Sequence, residues 1–222
     1  MQAAYSGPAD DFGRAAAERL FPDATFVACD DPIAAMRLAE SGDVEAAVVP
    51  FEDTRAGVAT EVVDHLVFGA PDLVVTGETD VVVEDDRDGP VTVRRFLAVS
   101  RTPAMGVSRP QTLLFVVPGF NRPGTLSELL AAFSSRGINM TTLQSRPLGA
   151  ALGMYGFLIE FEGSPADPLV RGALADMLAA TQSAKYLGTF DEGDRRWGQV
   201  RGRELAGKPL TLDDLARLGD QR

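Results

Sequence analysis

The chain has 222 residues, 45% hydrophobic and 24% charged, with a formal net charge of −11. That composition is typical of a soluble globular protein with one large or two small domains, and no apolar run of about 18 residues offers a membrane span. Residues 1–100 hold 20 acidic against 7 basic side chains, a balance of −13, whereas residues 101–222 balance at +2; so acidic a first half argues against nucleic acid or an anionic membrane as partner.

Taken in order, residues 1–100 alternate strand and helix. The start, Met1-Gln2-Ala3-Ala4-Tyr5, has neither a basic region nor an apolar core. It reads as the first strand of a cytoplasmic protein, not as a signal peptide. A helix over residues 12–20 is entered through Asp10-Asp11, acids suited to capping. Residues 25–29 form a second strand, containing the single cysteine, Cys29, whose expected role is a small packed side chain. Asp31-Pro32 opens a helix that ends near Ser41-Gly42. Residues 45–51 form a buried strand, and residues 54–68 are predicted largely helical. The only histidine, His65, lies on that helix. With one cysteine and one histidine, neither a disulfide nor a cysteine- or histidine-rich metal site is expected. Residues 73–83 are extended, residues 84–90 form a charged turn, and residues 91–100 return as a strand. The alternation predicts a small α/β unit with a mostly parallel sheet.

After a connection over residues 101–110, the pattern changes. Gln111-Thr112-Leu113-Leu114-Phe115-Val116-Val117-Pro118 is a β-branched and aromatic run, expected as a buried strand. Leu126, Leu129, Leu130 and Phe133 then recur at helical spacing, closed by Arg136-Gly137. Strands over residues 138–146 and 154–161, a helix over 169–180 and a strand over 185–190 complete a βαββαβ order, the ferredoxin-like arrangement. Residues 193–222 form a tail, and Thr211 to Gly219 reads as one short capped helix.

Two groups of motifs carry a resemblance. Asn121-Arg122-Pro123-Gly124-Thr125-Leu126 with Gln144-Ser145-Arg146-Pro147 resembles the ACT regulatory domain joined to prephenate dehydratase. Tyr5-Ser6-Gly7-Pro8, Val48-Val49-Pro50-Phe51-Glu52-Asp53-Thr54 and Arg94-Arg95-Phe96 resemble that family's catalytic region. The resemblance implies a half-lobe of a periplasmic-binding-protein-like fold over residues 1–100, an ACT-like domain over 111–192, and no metal or other cofactor. It places phenylalanine or another aromatic amino acid beside Asn121, Pro123, Gly124, Thr125, Leu126, Gln144, Ser145 and Arg146. It also implies a homodimer through the ACT-like domain.

The same resemblance exposes a departure. The family inserts a whole second lobe where this chain has about a dozen residues before Arg95-Phe96, and Arg94 stands where the family has its catalytic Thr. Acids at Asp10, Asp11 and Asp53 replace neutral donors. Two like unit charges about 4 Å apart repel by roughly 4 kcal/mol at an effective dielectric near 20, which disfavours the dicarboxylate prephenate. The expectation is an aromatic amino acid-binding regulatory protein of phenylalanine biosynthesis, impaired in catalysis. The alternative is an active prephenate dehydratase or prephenate decarboxylase whose second wall comes from a dimer partner, with Glu52, Thr54 and Arg95 as its working groups. The plain reading of the same residues is that Asp10, Asp11 and Asp53 are caps and Arg94-Arg95 a solvated edge.

Overall fold

A computed structural model describes residues 1–8, 11–84, 92–120, 122–149 and 154–193, so the tail helix expected at 211–219 lies outside the described residues. The first unit comprises β1 (Gln2–Ser6), α1 (Phe12–Leu20), β2 (Thr25–Cys29), α2 (Pro32–Ser41), β3 (Ala46–Asp53), β4 (Gly57–Val58), α3 (Thr60–Asp64), β5 (Val74–Glu84) and β6 (Thr92–Ser100). Its helices begin as the sequence dictates. Asp11 accepts a hydrogen bond from the Phe12 amide and Asp31 one from the Ala34 amide, Pro32 fills the first turn of α2, and Gly42 ends that helix at φ +83°.

The sheet runs in the order β2-β1-β3-β6-β5, with β4 folded back on β3. Only the β2-β1-β3 part is parallel; β6 and β5 add in antiparallel fashion, so the sheet is mixed where a mostly parallel one was expected. The physical reason is connection length. Glu84 pairs with Thr92, so β5 and β6 form a hairpin, and a hairpin can join only antiparallel strands. A second correction concerns residues 54–59, expected to be helical. The Asp53 carboxylate accepts hydrogen bonds from the amides of Arg55 and Ala56, turning the chain, and Gly57 at φ +79° pairs back with Asp53. The helix therefore starts at Thr60 and finishes in a π-helical turn, His65–Gly69.

The second unit follows as β7 (Pro110–Pro118), α4 (Thr125–Ser134), β8 (Met140–Pro147), β9 (Tyr155–Glu162), α5 (Pro168–Ala179) and β10 (Thr181–Asp191), in an antiparallel sheet of order β10-β7-β9-β8. One face, with Leu114, Val116, Ile159 and Phe161, meets Leu129 and Phe133 of α4 and Val170 and Met177 of α5. The opposite face, with Leu113, Phe115, Leu158, Leu187 and Phe190, joins Val49, Phe51, Leu66, Leu73 and Val75 of the first unit in one core. β7 is thus buried on both sides, which is why its sequence is an unbroken apolar run rather than an alternation.

Residues 60–69 lie across this shared face and are held from both edges of the second sheet. From β10, the Lys185 ammonium donates to the carbonyls of Leu66 (2.5 Å), Val67 (3.3 Å) and Ala70 (2.8 Å), groups left open at the end of a helix. From β8, Arg146 pairs with Asp64. In between, the Phe68 ring meets the Phe115 ring edge-on at 5.6 Å.

β10 also rests its backbone on β5. At Gly188, φ is +140°, and a Cβ there would fall 2.2 Å from the Val75 carbonyl oxygen. Gly188→Ala is therefore expected to destabilise the protein by about 2–4 kcal/mol, through backbone strain and displacement of β10. A urea unfolding midpoint equal to the parent's would contradict that close approach.

Candidate functional site

Two regions held the candidate residues, and the structure treats them differently. In the first unit, Glu52, Asp53 and Thr54 lie at the carboxyl end of β3, facing Arg94 and Arg95 on β6. The Thr54 hydroxyl accepts from the Val93 amide at 3.1 Å, and the Thr54 amide donates to the Val93 carbonyl at 3.0 Å, so the side chain is spent on joining β3 to β6. Asp53, besides turning the chain, receives both the Nε and an Nη of Arg94 at 3.2 Å. Burial alone would raise the Asp53 pKa, but the two amide hydrogen bonds and the Arg94 pair outweigh it and hold the carboxyl below its ordinary value. The repulsive acid expected at Asp53 is thus neutralised by its neighbour. Asp11 is a helix cap, in line with its plain reading.

Arg95 differs from every expectation for it, since it is neither a solvated edge nor open to a ligand. It is 4% exposed, with its guanidinium turned toward the second unit. Its two terminal nitrogens reach the two carboxylate oxygens of Glu160 on β9, each at 2.8 Å, in the fork geometry that an arginine offers a carboxylate. Glu78 of β5 closes on the same guanidinium, the ring of Phe51 lies 5.0 Å from its centre, and Glu52 stands 4.0 Å away. Glu160 is fully buried and also accepts from the Thr142 hydroxyl. Burial would lower the arginine's pKa, but the charges and hydrogen bonds of Glu160 and Glu78 raise it overall, so it stays charged. The Arg95 guanidinium is thus already paired with carboxylates of the protein itself.

The second region is a cleft of about 330 Å³. Its walls are the end of β7 (Val117, Pro118), the β7–α4 loop (Gly119, Phe120, Arg122), the first turn of α4 (Gly124, Thr125, Leu126, Ser127), Leu148 and Met154 between β8 and β9, the start of β9 (Tyr155, Phe157) and Gln182 of β10. Gly124 leads into α4 at φ +93°, and no side chain among the described residues caps that helix. The Thr125 hydroxyl instead bonds within the loop, to the carbonyls of Phe120 and Arg122. The first amides of α4 thus offer partial positive charge at the mouth of an aromatic-lined cleft.

Of the expected ligand contacts, Gly124, Thr125 and Leu126 line the cleft. Pro123 does not, and Asn121 lies outside the described residues. Gln144, Ser145 and Arg146 stand back from it on β8, an outer strand of the sheet, and Arg146 is turned to Asp64. Sequence reasoning missed Phe120, Leu148, Tyr155 and Gln182. Phe120, 70% exposed next to Gly119, was the one available signal, since a large apolar side chain on a loop needs a reason.

Known proteins are similar to this chain in fold and in sequence. Residues 3–86 match the family model described as prephenate dehydratase. The prephenate dehydratase of Amycolatopsis methanolica is 34% identical over 178 residues, which cover 78% of this chain and 51% of that protein. The crystal structure of prephenate dehydratase from Streptococcus mutans is similar at a TM-score of 0.74 with 29% identity, covering 86% of this chain and 97% of that one. The chain belongs to the prephenate dehydratase family. The crystal structure of prephenate dehydratase from Arthrobacter aurescens in complex with L-Phe shares the fold, at a TM-score of 0.74 and 23% identity, over 86% of this chain and 90% of that one. This family member spans about half the length of the curated relatives it matches first.

The buried charge cluster yields a stability prediction. Arg95→Met leaves Glu160 and Glu78 facing each other out of water, an expected loss of about 3–5 kcal/mol at neutral pH. Stranded carboxyls take up protons more readily in the folded than in the unfolded chain, so the deficit should shrink as the pH falls. Urea melts of parent and variant across the acid range check both the size and the sign.

Proposed function

We propose that this protein is a regulatory member of the prephenate dehydratase family, binding phenylalanine or a related aromatic amino acid in its ACT-like second unit without turning over prephenate. The observation carrying this reading is the cleft between the α4 N-terminus and the β8–β9 turn. An amino acid carboxylate suits the positive end of α4, and an aromatic ring suits Phe120, Leu148, Tyr155 and Phe157. The L-Phe complex of the Arthrobacter aurescens protein is an independent reason to test phenylalanine first.

The first unit supports the proposed lack of turnover. Only seven residues separate Glu84 from Thr92, whose paired strands leave no span for a second lobe between them. Arg95 is engaged by Glu160, and Thr54 by Val93. An open half-cleft neither excludes water nor fixes a reacting geometry. Pairing of two copies through the ACT-like unit, with β8 at its edge, belongs to the same proposal.

Two measurements test it. Calorimetric titration with phenylalanine is expected to show saturable binding, and Phe120→Ala is expected to weaken it about tenfold, in line with the loss of one aromatic contact. A melting temperature indifferent to millimolar phenylalanine and tyrosine would sink the binding claim. Incubation with prephenate should yield no phenylpyruvate above the uncatalysed rate; turnover at an ordinary enzymatic rate would instead establish the dimer-completed enzyme.

A further inference from the structure

We propose that Arg146 is a positioning residue and not a ligand contact: through its ion pair with Asp64 it fixes the Leu148 wall of the amino acid cleft to the helix of residues 60–69 in the other unit. This deepens the reading of the cleft as an amino acid site, and rests on it.

The geometry carries the inference. Arg146 bonds Asp64 with two parallel contacts, Nε to Oδ1 at 3.0 Å and Nη2 to Oδ2 at 2.6 Å, and its side chain is only 17% exposed. Both oxygens of Asp64 are engaged, so the guanidinium is fixed in direction as well as position. Immediately after Arg146 the chain turns. Pro147 pairs with Tyr155, and the Leu148 amide donates to the Met154 carbonyl at 3.1 Å. Leu148, Met154 and Tyr155 form one wall of the cleft. On its other side the same turn, with Pro147, Leu148 and Gly149, faces Ile33, Asp64, His65 and Phe68 across a second, open crevice. Leu148 therefore belongs to both walls.

The anchor is itself well held. The carbonyls of Leu66, Val67 and Ala70 are bound by Lys185 from the opposite edge of the sheet, and His65 is 2.6 Å from Glu40 of α2. Asp64 lines the crevice but not the cleft. It offers a way to disturb the Leu148 wall without touching a cleft-lining residue. Linkage then requires that ligand in the cleft steady residues 60–69 to the same extent that the helix steadies the ligand.

The test is a double-mutant cycle read by phenylalanine titration, with Arg146→Gln, Asp64→Asn and the pair together, and with Asp64→Glu as the conservative variant. Each single change is expected to weaken phenylalanine roughly fivefold, and the double variant is expected to bind no more weakly than either single one. Asp64→Glu should recover most of the affinity. Amide exchange in residues 60–69 should slow on adding phenylalanine to the parent and not in Asp64→Asn. A merely structural pair would lower the unliganded melting temperature and leave affinity untouched. If Arg146→Gln weakens binding while Asp64→Asn does not, Arg146 meets the ligand directly and the proposal is wrong. If neither changes affinity, it is wrong as well. A parent protein that binds no phenylalanine would overturn the amino acid reading and this inference together, so that failure is distinguishable from the others.

Discussion

The architecture depends on one guanidinium removed from water. Arg95 leaves the first sheet, enters the space between the two units and is met there by Glu160 and Glu78. A charge in such a place is tolerated only when its partners are correctly aimed, because desolvation otherwise costs several kcal/mol per ion. The pair therefore acts less as glue than as a gauge of register. The two sheets can meet in few other ways that keep Arg95 and Glu160 fork to fork while Phe51, Leu113, Phe115 and Leu158 close the apolar layer around them. Lys185 and Arg146 then set residues 60–69 across the second sheet from its two edges.

Much of the local structure was legible in the sequence, because short-range physics decides it. Asp31-Pro32 and Gly42 bound α2 as a capped helix must be bounded, and the unbroken run of β7 read as a buried strand. The βαββαβ order of the second unit followed from the change of period at Gln111. Residues 54–59 failed because a side chain, Asp53, competed for the backbone amides that a helix would have used. The mixed sheet failed because alternation of strand and helix says little about a final hairpin.

The site was legible only in part. Gly124, Thr125 and Leu126 are contiguous, and a turn followed by a helix start is a signal within one window. Arg95 and Glu160 are 65 positions apart, and Arg146 and Asp64 are 82 apart. No periodicity links such residues; only the docking of the two sheets does. Family likeness set Arg146 among ligand contacts and Arg95 among catalytic groups, and in this structure each is paired with an internal carboxylate. An arginine's preference for carboxylates is chemistry, and whether the carboxylate comes from solution or from the chain is topology.

The contact of β10 with β5 has a consequence for how the molecule comes into being. Val75 is sheltered by Gly188, more than a hundred residues downstream, and Leu187 and Phe190 complete the layer over Leu73 and Val75. A nascent chain leaving the ribosome cannot finish its first sheet's inner surface until its tenth strand has emerged. The two halves are thus poor candidates for separate expression, and such a distant closure makes for slow, concerted assembly instead of folding in instalments.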